Sequence, residues 1–152
     1  FKTLVGPVAD NLTASERASA KGKNANTYEM GGSVSMTSEG TVASGLFIDE
    51  IRDVDWMTAR ITERVFSLLV NVPKVPFTDA GIGLIGNQVQ SVLENAEQNS
   101  ILASDPKYTV TVPKALDVPF NDRANRHLPN VSFTARLAGA IHSVEVNGVV
   151  TV

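Results

Sequence analysis

The amino-acid sequence predicts an α+β fold: a mixed or antiparallel β-sheet packed by two amphipathic helices, with β-strand arms at the termini. Three observations predict it. Val54, Met57, Ile61, Val65, Leu68 and Val72 recur at steps of three and four, the spacing of one helical face. Ile82, Ile85, Val89, Val92 and Ala96 repeat that spacing. Val131, Phe133, Ala135 and Leu137 alternate with Ser132, Thr134 and Arg136, the period of a strand with one buried face. A chain of 152 residues can bury about 70% of the surface its unfolded form exposes, so a true core is within reach.

The elements follow in order. Residues 1–45 are rich in Gly, Ser, Asn and Thr. Thr13 offers an N-cap for a short helix over Ala14–Lys21, which Gly22 closes. Residues 26–30 and 34–37 flank Gly31-Gly32 as a hairpin, and residues 41–44 form a further short strand. The first long helix starts among Asp49, Glu50, Asp53 and Asp55, where the N-terminal dipole favours negative charge. Trp56, Phe66 and Leu69 widen its apolar face, which makes it a central helix; Pro73 and Pro76 end it. Thr78-Asp79 caps the second helix, whose polar faces carry Gln88, Gln90, Glu94 and Gln98.

Tyr108, Val110 and Val112 alternate with Thr109 and Thr111, so residues 107–112 read as a strand. Residues 113–129 are an irregular crossing that holds Asp122, Arg123, Arg126 and His127. A last run of Ile141, Val144, Val146, Val149, Val150 and Val152 carries β-prone residues to the final position. Such a strand has backbone donors and acceptors that want a partner. Asn147-Gly148 can fold it back through a tight turn, or act as a bulge in a strand that continues outward. Only four residues follow Gly148, short for a self-contained hairpin. No internal repeat is visible.

Composition narrows the function. The net charge is −3 with both signs spread along the chain, which gives no electrostatic footprint for nucleic acid. The absence of cysteine excludes disulfides, thiolate metal sites and cysteine nucleophiles. No apolar run approaches the roughly 18 residues of a membrane span. Phe1-Lys2-Thr3-Leu4 is neither an initiator Met nor a signal peptide, so a fragment or processed product is expected.

Motifs for chemistry are weak. Gly81-Ile82-Gly83-Leu84-Ile85-Gly86 matches the dinucleotide fingerprint letter for letter, yet the fingerprint needs a preceding buried strand, and Pro73 and Pro76 stand there. Glycines that let a helix approach a neighbour closely are the plainer reading. Asp49, Glu50, Asp53 and Asp55 are oxygen ligands of the kind calcium takes, without the spacing of a calcium loop. His127 and His142 are the only histidines, and no serine elbow accompanies them. The expectation is no catalytic, cofactor or metal site. Arg123 and Arg126, with Asp122, are candidates for a subunit interface, because the guanidinium fork suits ion pairs between chains. Ile141, Val144, Val146, Val149, Val150 and Val152 are the other candidates.

Several short stretches, taken in order, resemble contractile phage tail sheath proteins. They are Leu12-Thr13, Lys23-Asn24-Ala25-Asn26-Thr27-Tyr28, Gly45-Leu46-Phe47-Ile48-Asp49 with Asp55-Trp56, and Pro76-Phe77-Thr78-Asp79-Ala80-Gly81-Ile82. Asp122-Arg123-Ala124 and Leu137-Ala138-Gly139-Ala140-Ile141-His142 complete the set. The resemblance runs over essentially the whole chain and implies one sheath-type domain, residues 1–152, from the conserved C-terminal part of a longer protein. It implies a structural subunit without catalysis, found in the virion tail and assembled in the host cytoplasm. Its partners would be further copies in stacked hexameric rings, the tail tube, and baseplate and tail terminator proteins, with no direct nucleic acid and no membrane insertion. Contraction would then drive DNA delivery. Residues 141–152 would be a strand-exchange arm that links neighbours by strand addition. A tail tube or baseplate module is the main alternative, and a small nucleotide-binding enzyme using residues 81–86 the other.

Overall fold

Thr13 shows most directly how sequence becomes structure here. In the computed structural model, which describes residues 2–151, its hydroxyl accepts from the backbone N–H of Glu16, while Glu16 Oε2 accepts from the N–H of Thr13. This reciprocal capping box fixes helix α1 at Ala14–Lys21, with Gly22 as its C-cap, as expected. The backbone divides into two compact units, residues 1–54 and residues 55–152.

In the first unit, β1 (Thr27–Gly31) pairs antiparallel with β2 (Val34–Ser38), with Thr27 opposite Ser38 and Gly31 opposite Val34. The connection is two residues, Gly32-Ser33, and Gly32 takes φ +62°. Glycine first with a positive φ is the signature of a type II′ hairpin turn, whose twist matches that of the strands. Residues 2–10 flank the hairpin on both sides. Thr37 N–H donates to Lys2 O (2.8 Å), and Asp10 N–H donates to Tyr28 O (3.0 Å). Glu29 is buried in β1 and pairs with Arg17 of α1 at 2.5 Å. The Arg17 hydrogen bond holds its carboxyl below the usual carboxylate range.

The strand expected at 41–44 does not form. Asn26 Oδ1 accepts from the N–H groups of both Gly40 and Thr41 (2.8 Å each), and its Nδ2 donates to Thr41 O (2.7 Å). Those backbone groups are therefore taken by a side chain, not by a partner strand. The chain then turns tightly, with Gly45 at φ +89° and its N–H on Val42 O. Only an isolated Thr41–Phe47 bridge remains of β pairing.

Helix α2 (Ile48–Asn71) starts before the apolar repeat does and stops two residues short of Pro73, as the ring's clash with a helical predecessor requires. Helix α3 (Asp79–Gln98) is capped by Thr78, whose Oγ1 accepts from Gly81 N–H at 3.3 Å. β3 (Thr109–Thr111) and β4 (Ser132–Thr134) pair antiparallel, Val110 opposite Phe133, and a short α4 (Phe120–Ala124) lies in the crossing between them.

The fold is α+β with two long helices, but the expected single sheet is two separate two-stranded sheets, β1-β2 and β3-β4. Both strands of the second are shorter than the sequence alternation suggests. The chain after β4 changes partner: Ala103 N–H donates to Arg136 O (2.8 Å), and Ala138 N–H donates to Ile101 O (2.9 Å). The alternation of 131–137 thus serves two successive partners.

The core of the second unit is Met57, Val89, Leu93, Ala96, Leu102 and Tyr108. Trp56, Ile61, Val65, Val131, Ala135 and Leu137 pack around it. Leu93 and Ala96 are wholly withdrawn from water. The expected central place of α2 is corrected here. Met57 is its one buried residue among those described, and Phe66, Leu69 and Val70 each leave more than half their surface in solvent.

The tail forms no strand among the described residues of this chain. Residues 138–151 carry no strand, and Ile141, Val144, Val146, Val149 and Val150 are exposed. The back-folded hairpin at Asn147-Gly148 does not form among the described residues. The run is rich in β-prone residues, but among the described residues it pairs with no strand of this chain. Val152, the last of the candidates, lies outside the described residues.

Candidate assembly surface

The stretch most like a nucleotide motif has a packing role. Gly81 and Gly86 lie inside α3, which is preceded by a turn and not by a strand. A Cβ on Gly81 would stand 2.0 Å from Pro76 O, and one on Gly86 would stand 2.8 Å from Val112 Cγ1. Only hydrogen fits at either place. Gly83, the middle glycine, faces open space. The dinucleotide context is therefore missing, and the two tight glycines bring the helix against the loop before it and the chain after β3.

Acidic residues at the start of α2 do not converge on a metal-binding group. Among the described residues no three His, Asp or Glu side chains do so. Asp49 and Asp53 stand one helical turn apart. Burial, and secondarily the charge of Asp49, raises the Asp53 pKa above the ordinary carboxylate value. In the core, Tyr108 has a buried hydroxyl without a partner among the described residues. Burial, then the charges of Glu94 and Glu97, push its pKa up.

Two surface features remain. The first is an apolar groove of about 440 Å³ walled by Ile61, Val65 and Leu69 of α2, Ile85 and Val89 of α3, and Leu128, Val131 and Phe133. The half-covered stripe of α2 forms one wall of it. The second is a basic pocket of about 630 Å³, formed by Lys74, Val75 and Phe77 after α2, and by Arg123 and Arg126 at the end of α4. Arg126 belongs to both features. It adopts φ +56°, and His127 N–H behind it closes on Asp122 O at 2.8 Å. This left-handed turn ends α4 and sets the Arg126 side chain between groove and pocket.

Of the interface candidates, Arg123 and Arg126 are thus brought together, whereas Asp122 is not in the pocket wall. Ile141, Val144, Val146, Val149 and Val150 lie along the tail, outside any described strand. Sequence reasoning missed Lys74, whose only signal was a lone cation behind a helix-ending proline. It also missed that Phe133, counted as buried, is 42% exposed at the mouth of the groove.

Residues 48–106 match the family model described as E217 tail sheath protein gp31-like, C-terminal domain. The chain thus contains a domain that matches the tail sheath protein gp31-like C-terminal family. That domain spans α2, α3 and the turn after them, so one wall of the groove on each helix belongs to it. No curated protein matches the sequence. Among solved structures, a chain of the anti-feeding prophage baseplate, determined by cryo-electron microscopy with six-fold symmetrisation, shares the fold at a TM-score of 0.59 and 14% identity. The likeness covers 98% of this chain and 43% of that one, so the present chain spans under half of that protein's length. Among the described residues no helix is long and apolar enough to cross a membrane.

Proposed function

We propose that the chain is a structural subunit of a phage-tail assembly that works through contacts between protein copies and carries out no catalysis. The observation that carries this reading is the match of residues 48–106 to the tail sheath family. The surface supports it. An amphipathic helix with its apolar stripe half open, an open apolar groove and an apolar tail without a partner strand are features that assembly covers.

Two positions within such an assembly have separate support. The sheath reading rests on the family match: copies stack as hexameric rings around a tail tube, bounded by baseplate and terminator proteins, and contraction drives DNA delivery. The baseplate reading rests on the fold shared over 98% of the chain with a protein from a baseplate. The tail, residues 141–152, acts in either as a strand-exchange arm, adding to a sheet edge of a neighbouring copy. The purified chain viewed by electron microscopy separates the two. Hollow helical tubes formed by the protein alone support the sheath reading. Discrete rings, or incorporation only in the presence of other tail proteins, support the baseplate reading. A monodisperse protein that joins neither overturns both. Deletion of residues 149–152 should leave the circular dichroism and melting of the subunit intact and stop polymerisation. Normal polymers from the truncated chain would remove the arm from the proposal.

A further inference from the structure

Lys74, Arg123 and Arg126 gather three cations in one pocket of a chain whose net charge is −3. No carboxylate lines that pocket. Among the described residues none of the three is in an ion pair. Arg123 Nε is buried with no hydrogen-bond acceptor. A guanidinium has five donors and accepts nothing, so a buried N–H without a partner leaves its desolvation uncompensated. The missing partner is an acceptor, and a carboxylate satisfies both the fork and the charge.

The same chain carries a matching surplus. Asp49, Glu50, Asp53 and Asp55 crowd the first two turns of α2, and none of them is in an ion pair among the described residues. The helix dipole accounts for acid in the first turn, but its effect fades before Asp53 and Asp55. Burial first, and the charge of Asp49 second, raise the Asp53 pKa.

We propose that the Lys74–Arg123–Arg126 pocket receives the acidic first turns of α2 from a second copy of the chain. The two surfaces differ, so the contact is heterologous. Repeated from copy to copy it closes into a ring or extends as a filament. It rests on the assembly reading above and adds to it a named pair of surfaces within the folded body, separate from the tail.

Charge reversal in the full chain, followed by sedimentation velocity, tests the contact. Association of the unaltered protein should weaken as salt rises from roughly 0.05 to 0.5 M, because exposed charges are screened. K74E/R126E should weaken it by about tenfold or more, and E50K/D55K should do the same. Lys74, Arg126 and Asp55 are exposed, which keeps the folded state intact in these variants; far-UV circular dichroism checks it. Should Glu50, which is half-buried, prove necessary for folding, D55K alone takes its place. An equimolar mixture of the two reversed proteins should recover association, since each then supplies the surface the other lacks. A monomeric wild-type protein, reversed variants that associate as wild type does, or a mixture without recovery would each overturn the contact. If K74E/R126E still builds tubes or rings, the assembly reading stands and only this contact falls.

Discussion

Helices α2 and α3 carry the same apolar periodicity and have opposite fates. The longer helix, α2, buries Met57 alone among its described residues, whereas α3 buries Gly81, Ile82, Gly86, Val89, Val92, Leu93 and Ala96. Part of the difference lies in glycine. Gly81 and Gly86 let Pro76 and Val112 approach the α3 backbone more closely than a Cβ at either position would allow, and both positions are buried. α2 has no glycine and keeps Phe66, Leu69 and Val70 toward water. Periodicity marks a face that wants cover; it does not say which chain supplies the cover. The tail is the extreme case, with Ile141, Val144, Val146, Val149 and Val150 all exposed and no partner strand among the described residues.

The comparison breaks first at its most buried point. Leu93→Ala should cost about 2–5 kcal/mol by chemical denaturation, because it empties a site with no access to solvent. Leu68→Ala, on the repeat that predicts α2, should cost only about 1 kcal/mol, since Leu68 is half-buried. Equal losses at the two positions would mean that α2 is as enclosed as α3.

Glycine sharpens the contrast at the next scale. Gly86→Ala should lose about 1–3 kcal/mol, because the new methyl meets Val112 Cγ1 at 2.8 Å and the strand-side chain must give way. Gly83→Ala should instead gain about 0.5–1 kcal/mol in the same melting experiment, because its methyl enters open space and the helix sheds a flexible residue. If both changes destabilise equally, the close approach of Val112 is not what selects glycine in this helix.

Much of the fold was legible because its signals are local. Thr13 with Gly22, the Gly32 turn and Thr78 act within a few residues, so α1, the β1-β2 hairpin and the start of α3 follow from short-range chemistry. The errors lie where a distant group decides. Asn26, fourteen residues before Gly40, takes the backbone that a strand at 41–44 would use. Ile101 and Ala103 capture the chain after Thr134, which cuts β4 short. Arg123 and Arg126 were legible as a pair by proximity, whereas Lys74 joins them only through the crossing that brings α4 beside the end of α2. No pattern in the sequence reports that meeting.

The smallest expected effect on stability is the most telling for function. Phe66 lies on the outer part of the α2 stripe and keeps 66% of its surface in solvent. Phe66→Ser should therefore change the unfolding free energy by no more than about 0.5 kcal/mol, the usual range for a surface position. Folding alone gives no reason for a large aromatic side chain there, since its transfer to water is unfavourable and nothing in this chain reduces it. In an assembly the same side chain becomes an anchor, of the aromatic type that dominates contact energies. Assembly, followed by light scattering at matched concentration, should accordingly weaken in Phe66→Ser while the melting temperature stays put. A fall in melting temperature with unchanged assembly would return Phe66 to the fold of its own subunit and close the gap between the two helices. An unchanged result in both measurements would leave the open face of α2 without a role in assembly.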